Sequence, residues 1–122
     1  GGGTNRANHL EKIAIAERRL SSPIDGPPDL QALAKELCWG YSYFRREFKK
    51  QTGLSPWQYH LQARFSLAQR SLMTTNDTLE EIAQSTGFGS AFHLSNAFKK
   101  AFGKSPGHWR EHHPRNKPLS GR

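Results

Sequence analysis

The chain is predicted to be all-α, with about seven helices forming two helix-turn-helix subdomains joined by a long central helix. Three observations carry this expectation. No segment alternates apolar and polar residues with period two, so no strand is expected. Apolar residues instead recur at helical spacing. One stretch is also used twice: Leu30-Gln31-Ala32-Leu33-Ala34, Gly40, Phe48-Lys49-Lys50, Gly53 and Ser55-Pro56 return as Leu79-Glu80-Glu81-Ile82-Ala83, Gly89, Phe98-Lys99-Lys100, Gly103 and Ser105-Pro106. The early matches lie 49 positions apart (Leu30 to Leu79) and the later ones 50 (Phe48 to Phe98), so the second copy carries one extra residue after Gly89.

Residues 1–8 are expected to be a disordered linker or cloning remnant, and the opening Gly1-Gly2-Gly3-Thr4 suggests a piece of a longer protein. Leu10, Ile13, Ala14, Glu17 and Leu20 predict a helix over His9–Leu20. Pro23, Gly26, Pro27 and Pro28 exclude regular structure before Asp29, which suits an N-cap. The helix it opens buries Leu30, Leu33, Ala34 and Leu37. Cys38-Trp39-Gly40 forms a turn, with Cys38 a small space-filler, and a third helix covers Tyr41–Gln51 until Gly53 stops it. Ser55-Pro56-Trp57-Gln58 combines an N-cap, a proline at the first helical position and a capping-box glutamine. The helix it starts meets no Gly or Pro before Met73, a rod of roughly 25 Å. Thr78 with Glu81 forms a second capping box and opens the repeat, with helices to Ser85 and over Ala91–Ala101 around a turn at Thr86-Gly87-Phe88-Gly89. Ser105-Pro106 begins a last helix through Glu111, and the tail from His112, containing Pro114 and Pro118, is expected to be disordered. The first unit thus spans 9–55, the central helix 56–73 and the second unit 74–111.

The 122 residues carry 18 Lys and Arg against 10 Asp and Glu, a net charge of +8, which suits a polyanion such as nucleic acid. A single Cys38 precludes an intramolecular disulfide. No apolar run approaches a membrane span and no signal peptide is evident, so a cytoplasmic location and no membrane partner are expected. The sequence offers no nucleophile-base pair, phosphate loop or paired catalytic carboxylates, so no enzyme is expected. No cofactor or metal is expected either, since His108, His112 and His113 lack a second ligand cluster.

In each unit a small residue, Ala34 or Ala83, suits the closest approach of two helices, and Gly40, Gly87 and Gly89 suit a sharp turn. Trp39 and Phe88 would plug those turns. Phe44 and Phe48, then Leu94 and Phe98, would anchor the second helix to the core. That register leaves Ser42, Arg45 and Arg46 outward in the first unit, and Phe92, Ser95 and Asn96 in the second, as candidate base-contacting residues. Arginine can bond guanine O6 and N7 together, and asparagine adenine N6 and N7. Phe92 either faces the groove or rests half-buried against its own unit. Lys49, Lys50, Lys99 and Lys100 lie about one turn later, better placed for phosphates, as are the helix starts at Ser55 and Ser105. Arg64 is expected to turn inward rather than toward DNA. The alternative is a basic helical protein-interaction module without sequence-specific DNA binding.

The run Glu81-Ile82-Ala83, Gly87-Phe88, Leu94, Phe98-Lys99-Lys100, Phe102-Gly103, Ser105-Pro106 and Trp109-Arg110, with Arg64, Ala68 and Leu72 before it, resembles the DNA-binding domain of the AraC/XylS family of bacterial transcription regulators. The resemblance extends from about Leu10 to Arg110. It implies two lobes on a rigid helix, each placing its second helix in the major groove about one turn, roughly 34 Å, apart. It further implies binding of double-stranded promoter DNA as an activator or repressor, contact with RNA polymerase, and a separate sensing or dimerisation domain. This chain departs from the family in having Gly40 and Gly89 where members carry Ser or a similar cap, which predicts looser starts to both recognition helices. It also has Asn96 where many members carry Arg, so the first lobe is expected to supply most sequence discrimination. The second would add phosphate contacts and apolar contact with thymine methyls.

Overall fold

A computed structural model describes residues 2–22 and 27–112, with side chains described from Ala7 onward. Among these residues there are seven helices and no strand: α1 (Gly2–Leu20), α2 (Leu30–Glu36), α3 (Tyr41–Thr52), α4 (Pro56–Thr74), α5 (Leu79–Ser85), α6 (Ala91–Phe102) and α7 (Pro106–His112). Most ends agree with the sequence reading to within a residue. The exception is α1, which begins at Gly2 rather than His9 and replaces the expected disordered start with helix. Apolar spacing marks only where a buried face begins, whereas a formed helix extends one hydrogen bond per residue until something such as proline stops it. The disordered tail is expected from His112, but His112 is the last residue of α7; the remainder, residues 113–122, lies outside the described residues, as do residues 23–26 of the proline-rich segment.

The chain divides into two compact units, Gly1–Ala63 and Arg64–Arg122, and the division falls inside the continuous helix α4. In the first unit, α1 contributes Ile13, Ala16 and Leu20 to a core completed by Leu33, Ala34, Leu37, Phe44 and Phe48. Leu10 lies off that stripe and is exposed. Phe44 and Phe48 meet edge to face at 5.7 Å, and Phe48 meets Tyr59 of α4 at 5.3 Å, a favoured aromatic geometry. Buried His60 donates from Nδ1 to the Leu20 carbonyl at 3.0 Å, satisfying an acceptor that the end of α1 leaves without a helical partner.

In the second unit Ala68, Leu72, Ile82, Ala83, Leu94 and Phe98 form the core, bordered by Phe65, Phe88 and Trp109. Arg64 turns inward, as the sequence suggested. Its guanidinium lies 5.5 Å from the Phe88 ring centroid, and burial lowers its pKa from the ordinary arginine value. Arg110 of α7 closes the far end of α4. It donates to the carbonyls of Leu72 (3.1 Å), Thr75 (3.0 Å), Asp77 (2.9 Å) and, more distantly, Ser71 (3.4 Å). One planar cation thereby serves both the helix terminus and the loop that follows it.

Candidate nucleic-acid interface

Each unit presents a second helix, α3 or α6, held by its turn. Ala34 and Ala83 are almost wholly buried, and their carbonyls accept from the turn: Trp39 N–H to Ala34 at 3.0 Å, Phe88 N–H to Ala83 at 2.9 Å. The left-handed residue of the first turn is Cys38 (φ 62), not Gly40, which is extended at φ −66. Its counterpart 49 positions on is Gly87 (φ 87). Cys38 is exposed and therefore fills no space in the core, contrary to the sequence reading. Its place is set by turn geometry, which glycine would meet with less strain.

The extra residue of the second copy also resolves itself. Gly89 takes a second left-handed conformation (φ 87) and Ser90 becomes the N-cap of α6, accepting from His93 N–H at 3.1 Å. The looser start expected for both recognition helices therefore holds only for α3, whose N-cap Gly40 offers no side-chain bond. Glu80 of α5 secures α6 further by accepting from Ala91 N–H at 3.1 Å. Gln84, bonded to Glu80 at 3.3 Å, donates to the Gly89 carbonyl at 2.6 Å. Sequence reasoning missed this clasp; only the folded turn brings Glu80 to Ala91.

The outward faces are as the register predicted. Phe44 and Phe48 are buried, while Ser42, Arg45, Arg46, Lys49 and Lys50 are exposed. Those five residues and Ser55 line one concave surface of about 480 Å³, and none of the six is acidic. On α6, Leu94 and Phe98 are buried, Asn96, Lys99 and Lys100 are exposed and Ser95 is partly so. Phe92 is 72% exposed, which removes the half-buried alternative. A smaller concavity of about 280 Å³ joins Lys99 and Ser105 to Lys104 and His108. Lys104 and His108 are not among the candidate DNA contacts, and both lie within three positions of Ser105. Phe92, Ser95, Asn96 and Lys100 do not line it.

The helix starts are more occupied than expected. Ser55 Oγ accepts from Gln58 N–H while Gln58 Oε1 accepts from Ser55 N–H, both at 3.2 Å, and Ser105 Oγ accepts from His108 N–H at 3.1 Å. Each hydroxyl keeps its own O–H as a donor.

Residues 33–112 match the family model described as a helix-turn-helix domain. The transcriptional regulator GbdR of Pseudomonas aeruginosa is 32% identical over 117 residues, 96% of this chain but 31% of its own length. The chain spans about a third of the length of the curated relatives it matches. The C-terminal domain of AraT, a response regulator from Geobacillus stearothermophilus, superposes with a TM-score of 0.78 at 25% identity, covering 87% of this chain and 88% of that one. The DNA-binding domain of the global transcriptional factor AdpA, solved with a target DNA, gives 0.69 at 30% identity, covering 85% and 90%. The twice-used helix-turn-helix, the pair of buried apolar anchors on each second helix and the family match lead to one conclusion: the chain belongs to the helix-turn-helix domains of the AraC type.

Proposed function

We propose that this chain is the sequence-specific DNA-reading domain of a bacterial transcription regulator, entering adjacent major-groove segments with α3 and α6. The observation that carries the reading is the concave face of α3, where Ser42, Arg45, Arg46, Lys49, Lys50 and Ser55 converge without a carboxylate. Ser42, Arg45 and Arg46 read base edges, while Lys49, Lys50 and the Ser55 hydroxyl meet phosphates. On α6, Asn96 suits adenine, Ser95 adds a hydroxyl and Phe92 meets a thymine methyl. Lys99, Lys100 and Ser105 take phosphates there. Sequence discrimination rests mainly with α3, because α6 carries no arginine at the matching positions.

In this reading the domain carries no catalytic machinery. It works in the cytoplasm on promoter DNA and contacts RNA polymerase, with a sensing or dimerisation domain elsewhere in the full-length protein. No described helix is long and apolar enough to cross a membrane. Selection of bound duplexes from a random pool, followed by titration at several salt concentrations, tests the reading. A non-palindromic consensus is expected, with log K falling against log salt at a slope near −5 if about six phosphates are neutralised. Arg46→Ala should cost about 1–3 kcal/mol and relax the preference at one base pair. No enriched sequence and no salt dependence would instead leave a basic protein-interaction module.

A further inference from the structure

We infer that Tyr41 and Tyr43 are positioning residues that set the guanidinium groups of Arg45 and Arg46 before DNA arrives; the inference rests on the DNA-reading role of α3. The Arg45 guanidinium carbon lies 5.7 Å from the Tyr41 ring centroid, and that of Arg46 lies 5.5 Å from the Tyr43 ring. Both pairs have the spacing at which side chains meet on a helix, four apart and three apart. The rings are themselves held. Tyr41 packs on the core of the first unit, and Tyr43 meets Trp39 edge to face at 5.3 Å, with Trp39 flanked in turn by His9 at 5.1 Å.

The chemistry of the hold matters. A carboxylate would fix an arginine by occupying its N–H donors, the groups needed for guanine or phosphate. A ring face attracts the cation and leaves the donors at the guanidinium edge available. The sole acid of α3, Glu47, points its carboxylate at His9 Nε2, 3.3 Å away. Among the described residues no carboxylate pairs with Arg45 or Arg46. A long side chain ordered beforehand loses less freedom on binding.

The second copy supplies an internal comparison. Fifty positions on, Tyr41, Tyr43, Arg45 and Arg46 become Ala91, His93, Ser95 and Asn96. Both tyrosines are absent from the helix that has no arginine to hold.

The test is a double-mutant cycle on the selected duplex, read by fluorescence anisotropy, with Tyr43→Leu, Tyr43→Phe, Arg46→Ala and the corresponding double variants. Tyr43→Leu should weaken specific binding roughly two- to fivefold, the scale of an exposed cation–ring contact. Tyr43→Phe should bind like the parent, because the ring and not the hydroxyl does the holding. In the Arg46→Ala background Tyr43→Leu should have no further effect. Full additivity, or a Tyr43→Phe loss equal to that of Tyr43→Leu, overturns the inference while leaving the DNA-reading role intact. If Arg46→Ala leaves binding unchanged, the assigned role of Arg46 falls and the inference falls with it.

Discussion

Phe92 offers the sharpest single test of how α6 meets DNA. A phenylalanine side chain buries about 150–250 Å² when fully covered, and Phe92 is 72% exposed. Roughly 140 Å² is therefore open to be covered, and at about 25 cal/mol per Å² this bounds the apolar gain near 3.5 kcal/mol. A single thymine methyl accounts for only part of it, about 0.8 kcal/mol or roughly fourfold in affinity. Deoxyuridine removes that methyl and leaves the O4 acceptor in place, so the contribution can be isolated. Each thymine of the selected duplex would be replaced in turn by deoxyuridine and binding measured with the parent and Phe92→Ala domains. One or two positions in the segment read by α6 should weaken about fourfold with the parent and show no further weakening with Phe92→Ala. Because Phe92 is so exposed, the alanine variant should melt like the parent. The reasoning is refuted if no deoxyuridine position matters to the parent, or if sensitive positions stay equally sensitive without the phenyl ring.

Three further expectations concern the frame that holds the readers. Arg110→Lys keeps the charge but cannot span the carbonyls of Leu72, Thr75 and Asp77, so urea unfolding should show a loss of about 2 kcal/mol. An unchanged midpoint would mean that solvent serves those carbonyls equally well. Ala83→Leu adds bulk at a position with no exposed surface and should cost about 1–3 kcal/mol together with weaker DNA binding; a parental melting temperature would argue against close helix approach there. Cys38→Gly relieves a left-handed non-glycine residue, and after glycine's own entropy cost the net gain should be about 0.5 kcal/mol. A lower thermal midpoint for this variant would count against strain in the first turn.

Much of this domain was legible in its residues because helix signals are local. Ser55-Pro56-Trp57-Gln58 and Thr78 with Glu81 specify their own capping bonds within one turn of chain, and both reciprocal pairs form. The outward register of α3 and α6 followed from Phe44, Phe48, Leu94 and Phe98, since one buried stripe on a helix determines the opposite face. The start of α1 is not legible in the sequence because Gly2 to Asn8 carry no apolar stripe to reveal a helix. The sequence does not reveal the exposed, left-handed state of Cys38, because backbone dihedral angle and exposure are properties of the closed turn.

Pattern and spacing therefore determined the helices, the doubling and the chemical character of the two exposed faces, all of which arise between residues a few positions apart. Folding alone decided which distant groups share a partner: Glu80 with the Ala91 amide, Arg110 with the end of α4, His60 with the Leu20 carbonyl, Glu47 with His9 rather than with an arginine. Such pairings depend on where separate helices come to rest, and a hydrogen bond forms or fails over a few tenths of an ångström. No local periodicity carries that information.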